Sequence, residues 1–143
     1  MCLTKSAANG AAAKVTTLTH PLSIFNWAER EPHAAATATA LRPHLPTTGT
    51  TTIIDGRIGD ARHDQAETAA WAPEQAAGIK FISPLKTIGH PLGGANAIQT
   101  ALAAHLVITG KTNHAIATAT GHNQQVLAAL FSGTGHRALG IRH

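Results

Sequence analysis

Cysteine, aromatic residues and charge are all scarce in this chain, and each scarcity removes a class of explanation. A single cysteine, Cys2, stands in 143 residues, so there is no disulfide framework and no paired-cysteine metal site. Aromatic residues make up 3%, with two Trp, three Phe and no Tyr. That leaves no interleaved stacking platform for nucleic-acid bases. Charged residues amount to 13%, too few to cover a whole surface, which implies that part of it is covered by protein. No window is apolar enough to span a bilayer, and the N-terminus has neither a long apolar core nor a signal-type cleavage site. No membrane role is expected, and a reducing, cytoplasmic setting follows by default.

What is present is mostly small and neutral. The chain is 43% hydrophobic, and Ala and Thr fill the space that aromatics leave, so packing must bring backbones close together. The formal charge is +4, but Lys and Arg are scattered from Lys5 to Arg142 without a basic run. The chain is mildly basic and no nucleic-acid partner is expected. Ten histidines invite a metal, yet no HExxH and no Cys/His cluster with ligand spacing occurs, so none is expected. His20, His33, His44, His63, His114, His122, His136 and His143 read as surface or loop residues. His105, on an apolar helical face, reads as buried.

Strand-like and helix-like segments alternate. "AKVTTLT" (13–19) is β-branched and reads as a strand. Residues 31–45 read as a helix with Pro32 in its first turn and Pro43 and Pro46 ending it. "TTTIID" (50–55) is a second strand, and 60–72 a helix with Asp60 as N-cap. "IKFIS" (79–83) is a third strand, 92–108 the longest helix, and 114–120, "QVLAALFSG" and "HRALGIRH" the closing strands. The pattern predicts an α/β fold, a mixed sheet of about five strands with packed helices. No repeat or linker interrupts it, so residues 1–143 read as one domain.

The longest helix has no charged face. Ile98, Leu102, His105, Leu106 and Thr109 follow helical spacing, and the other faces carry Gly94, Ala95, Ala97, Ala101, Ala103 and Ala104. Between Lys86 and Lys111 there is no Lys, Arg, Asp or Glu. A helix uncharged all round is expected to be buried all round, and something beyond this chain should cover it.

The segment "LKTIGHPLGGANAIQTALAAHL" resembles the motif after the third strand in the C-terminal half of β-ketoacyl synthases, of the thiolase-like superfamily: Lys-Ser/Thr, Gly-His, then a Gly/Ala-rich helix. "IIDGRIGDARHDQAE" resembles the segment that in active synthases carries His-Gly-Thr-Gly-Thr and then Gly-Asp. "NGAAAKVTTLTHPLSIFNWAEREPHAAATATAL" resembles the opening of that half, and "LFSGTGHRALGIR" its closing Gly-rich loop and final strand. The order holds over nearly the whole chain. The resemblance therefore implies half of a thiolase-like fold, a ketosynthase C-terminal-like domain whose counterpart half would carry the nucleophilic cysteine. Cys2 lacks the context of that nucleophile.

Claisen condensation needs a thiolate, an oxyanion stabiliser and polar groups that promote malonyl decarboxylation. Read from the residues alone, His90 caps the helix that follows and Lys86 pairs with a carboxylate elsewhere. The resemblance instead makes His90 the Gly-His histidine and Lys86 the supporting lysine. It places Asp55, Phe131, Gly133 and Gly135 at substrate-binding positions. Where an active synthase carries its other histidine this chain has Asp55, which when ionised cannot donate a hydrogen bond and would repel a malonyl carboxylate. Such losses are familiar in chain-length factors. The resemblance thus implies a non-condensing, ketosynthase-like subunit of a fatty-acid or polyketide complex. The alternative is the catalytic C-terminal half of a split synthase. Implied partners are a synthase-like N-terminal half or full ketosynthase subunit and an acyl carrier protein. No cofactor is expected on this chain, the acyl groups riding on the carrier's phosphopantetheine. "GGAN" at a helix start could hold a phosphate, a third reading without the context of a nucleotide loop.

Overall fold

The computed structural model describes residues 12–89, 91, 94–120 and 125–134. Six strands form one mixed sheet. They are β1 (Ala13–Leu18), β2 (Leu22–Ser23), β3 (Thr51–Ile54), β4 (Lys80–Ile82), β5 (His114–Thr120) and β6 (Gln125–Gly133). The order is β1-β6-β5-β3-β4, with β2 added to β6. β3 runs parallel to both β4 and β5, while β6 is antiparallel to β5, β1 and β2.

Among the described residues five α-helices accompany the sheet: α1 (Arg30–Leu41), α2 (Ala61–Ala70), α3 (Ala72–Ala76), α4 (Pro84–Ile88) and α5 (Ala95–Ile108). The parallel strands decide where they lie. From β3 the chain moves outward to β4 through α2, then back across β3 to β5 through α5. Right-handed crossovers in opposite directions put α2 and α5 on opposite faces of the sheet. The alternation of side chains along each strand serves both layers. Ile53, Ile116 and Leu130, in cross-strand register, pack with Ala34, Ala38 and Leu41 of α1 and Ala66 and Ala70 of α2. Their neighbours Ile54, Ala117 and Ala129 pack with Ala103, Leu106 and Val107 of α5.

The expected strands and helices occur in the expected order, and the small-residue packing is real: Ala38, Ala103, Ala115 and Ala128 have no accessible surface. Several expectations need correction. The helix over 31–45 ends at Leu41 and tightens into a 3₁₀ turn over Arg42–His44, because Pro43 supplies no N–H to continue it. His63 is buried, since the first turn of α2 presses it against Arg30 of α1. His114 is half-buried at the start of β5, its Nδ1 2.8 Å from the Ser132 hydroxyl. His105 is exposed, and so are Asn96, Ala97 and Ala101 of α5. That helix is therefore not buried all round in the isolated chain; one side meets the sheet and the other meets solvent. The closing strand expected over 136–143 lies outside the described residues.

Candidate functional site

The carboxyl ends of parallel strands β4, β3 and β5 share one edge of the sheet, and there the chain gathers a buried polar network. Asp55 follows β3 with no accessible surface. Its N–H donates to the Ile82 carbonyl, extending the pairing with β4. Its carboxylate is fully engaged. Oδ1 accepts from the Arg57 N–H at 3.1 Å, and Oδ2 accepts from Arg57 Nε at 2.8 Å and from the Ser83 hydroxyl at 3.0 Å. The Arg57 guanidinium is held between this carboxylate, 2.6 Å away, and the ring of Phe81, 5.2 Å away. A buried carboxylate is tolerated because it is paired and hydrogen-bonded.

Glu67, one turn beyond Asp64 on α2, is the centre of the network. Its Oε2 accepts from the Gly56 N–H at 3.0 Å, and its Oε1 accepts from the Thr118 hydroxyl at the end of β5. Burial, and then the negative charge of Asp55, push the Glu67 carboxyl up to about 8. The group is therefore mostly a neutral acid at neutral pH. From the other face of the sheet, Gln99 of α5 donates to the Thr118 carbonyl at 2.6 Å. A Cβ on Gly56 would lie 3.2 Å from Glu67 Oε2 and 3.3 Å from Gln99 Nε2, so a side chain here would crowd the two side chains that meet at this point.

Four consecutive amides after β3 are all taken by the chain's own carboxyl groups. Gly56 donates to Glu67, Arg57 to Asp55, and Ile58 and Gly59 to Asp64 at 2.8 and 2.9 Å. Asp60 caps α2 by accepting from the His63 N–H at 2.9 Å, which orients Asp64 and Glu67 toward the loop. The N–H groups of a glycine-containing loop are ordinarily what an anion or oxyanion would use. Here none of the four is left for a substrate.

The sequence-predicted residues divide across the sheet. Asp55 lies at this edge, and α4 carries Lys86 three residues beyond Ser83. Lys86 is exposed; its N–H donates to the Ser83 carbonyl at 3.2 Å, and its side chain makes no hydrogen bond or ion pair among the described residues. α4 ends at Gly89 with φ 78° and ψ 179°, a conformation essentially closed to residues with a side chain, which explains glycine before His90. His90 itself, with Gly135, lies outside the described residues. Phe131 and Gly133 are not brought to this edge. The antiparallel register sets Ser132 opposite His114, at the far end of β5. Phe131 is buried in the layer under α5, because the odd positions of β6 face that helix. Asp55 also differs from its expected role, since it is enclosed and charge-paired rather than bare toward a crevice.

Sequence reasoning did not anticipate Glu67, Gln99, Thr118, Ser83 or the Asp64 loop contacts. A signal existed: from the Asp60 cap, positions 63, 64 and 67 fall on one helical face, but an acidic stripe on a helix ordinarily reads as its solvated side.

No family model matches the sequence, and no curated protein matches it. Among solved structures, the chain is similar to one in "AntDE:AntF (apo): type II PKS acyl-carrier protein in complex with its ketosynthase bound to the hexaketide", with a TM-score of 0.61 and 18% identity. The match covers 84% of this chain but 33% of the other, so this chain spans about one third of that chain's length. At that identity the likeness is one of fold alone, a mixed α/β sheet with packed helices.

Proposed function

We propose that this chain is a ketosynthase-like subunit, a single C-terminal-type domain over residues 1–143, that completes the fold and acyl site of a partner chain. It would be a component of a cytoplasmic polyketide or fatty-acid condensing assembly and would not condense on its own. The partner would be a synthase-like N-terminal half or a full ketosynthase subunit. Substrate would arrive as acyl groups on the phosphopantetheine of an acyl carrier protein. The observation that carries this reading is α5: it has no charged residue, and one side, with Asn96, Ala97, Ala101 and His105, is open to solvent. Small residues there suit another helix approaching closely. The fold likeness to one third of a chain in a ketosynthase complex supports the same conclusion, as does a loop whose amides and carboxylates are consumed internally.

The test is tagged purification from the native host with identification of the co-purifying chains, followed by light scattering on the reconstituted pair. A stable heteromer with an interface above roughly 2,000 Å² is expected. A soluble monomer with cooperative unfolding, or acyl transfer by the purified chain alone, would overturn the reading. Lys86 favours a second reading, because its ammonium is exposed beside the Gly-His sequence. There the chain is the catalytic half of a split synthase, lending His90 and Lys86 to a partner's cysteine. In that case His90→Ala abolishes condensation by the complex while assembly survives; unchanged condensation leaves His90 a structural residue.

A further inference from the structure

The network at the strand ends holds more acid than base. Three carboxyl groups, Asp55 after β3 and Asp64 and Glu67 on α2, close on the short loop 56–59, and all three are buried. Few cations face them among the described residues. From the loop, Arg57 pairs with Asp55 at 2.6 Å. From α1, Arg30 is near enough to feel the Glu67 charge, while its Nη2 bonds the Thr120 carbonyl. On α2 itself, His63 Nδ1 lies 3.6 Å from Asp64. The groups offered by the remaining elements are uncharged: Ser83 after β4, Thr118 on β5 and Gln99 on α5. Glu67 therefore has no ion pair of its own among the described residues.

As a neutral acid Glu67 adds no charge, and its two oxygens tie the loop to the sheet through the Gly56 N–H and the Thr118 hydroxyl. Once ionised, it would set a second negative charge near Asp55 in a place without water, where burial and Asp55 both oppose that charge. The cost falls if the loop moves aside and water reaches the carboxylate. The loop suits such a movement, since its four amides are held by carboxyl groups rather than by a strand. At its outer end Gly59 turns at φ 94° with no atom within 4 Å of where a Cβ would stand. We propose that the 56–59 loop is a proton-held latch over the carboxyl ends of β3 and β5. Protonated Glu67 keeps it shut, and ionisation of Glu67 releases it and turns its four N–H groups to solvent.

In the open loop Glu67 meets water and titrates at its ordinary 4.5, against about 8 when the loop is shut. Opening therefore becomes about tenfold more favourable per pH unit between those two values and levels off above them. The test is amide hydrogen exchange of the full chain by NMR, from about pH 5 to 8, corrected for the intrinsic rate at each pH. Gly56 and Ile58 should exchange about 100-fold faster than Ala117 of the central strand β5, because the loop opens without the sheet. Their protection should fall about tenfold per pH unit. Glu67→Gln keeps a hydrogen-bonding group without the charge, so protection of the loop should then stay level across the range. In the unaltered chain the Glu67 carboxyl carbon should titrate at about 8, a reading that does not depend on the variant folding. Loop exchange at the rate of Ala117, protection that does not vary with pH, a slope retained in Glu67→Gln, or a carboxyl carbon titrating at its ordinary value would each overturn the inference.

Discussion

On one face of the sheet, the start of α1, the 3₁₀ turn that follows it and α2 carry charged residues, and several of these are paired within the chain. Arg42 bonds Glu74 at 2.7 Å and the Ala70 carbonyl at 2.6 Å, and Arg30 bonds the Thr120 carbonyl at 3.1 Å. On the other face, α5 carries no charge at all and lies over alanines: Ala13, Ala115, Ala117 and Ala129. The first face is filled by Leu41, Ile53, Trp71, Ile116 and Leu130 and has a polar outer surface. The second is thin, and its outer side offers Ala97 and Ala101. A layer finished with charges suits contact with water, whereas an uncharged helix of small residues suits close packing by a further layer, as the proposed assembly requires.

The difference can be broken first in the core. Leu130→Ala, on the filled face, should cost about 2–5 kcal/mol in denaturant unfolding, because its neighbours leave a cavity. Its strand neighbour faces the other way, so Ala129→Leu should instead cost about 1–3 kcal/mol by overpacking under α5. Equal tolerance of a larger side chain on both faces would show that the alanine layer is not close-packed.

The outer surfaces give the next contrast. Ala101→Glu on the open side of α5 should weaken assembly with the partner about 100-fold, since an unpaired charge would be buried there. Ala35→Glu, on the exposed side of α1, should change stability and assembly by less than about 0.5 kcal/mol. Sedimentation of the two variants with partner sharpens the comparison, and indifference of assembly to Ala101→Glu would remove it.

Glu67, where the two faces join, gives a pH signature. Its folded value, about 8, lies above the ordinary 4.5, so the folded state holds the proton more tightly than the unfolded state. Its contribution is present in full below about 4.5 and is lost as pH rises toward about 8, with no further change above. Glu67→Gln keeps an acceptor for Gly56 and should flatten stability across that window. An unchanged slope would mean that the buried acid is already ionised. A smaller effect than in the core is expected at the α2 cap, where Asp60→Ala should lower stability by freeing the His63 N–H, read in denaturant unfolding.

The elements were legible because their signals are local. Thr51–Ile54 and His114–Thr120 are β-branched or alanine-rich runs bounded by turn residues, Asp60 announces α2, and the spacing within 95–108 is helical by itself. The two-residue β2 and the single-turn α4 were not, since pieces so short exist only through what they touch. The site was less legible than the fold. Asp55 and Lys86 reached the expected edge, but Phe131 and Gly133 went to the opposite end, a matter of the direction in which β6 runs. His63 and His105 exchanged their expected surroundings for a similar reason, as burial depends on which element packs across and not on the residue's own helix.

The sequence by itself determined the alternation of strands and helices, the caps, the small-residue packing and the absence of charge along α5, because each is a matter of neighbours within a few positions. Only the tertiary structure decided that α2 and α5 take opposite faces. It also decided that four loop amides are held by Asp55, Asp64 and Glu67, and that the Thr118 hydroxyl donates to Glu67 while Gln99 donates to the Thr118 carbonyl from the other face. The Gly56–Glu67, Gln99–Thr118 and Thr118–Glu67 contacts among them join residues 11 to 51 positions apart. Their energy comes from carboxyl groups removed from water together, which no local pattern encodes.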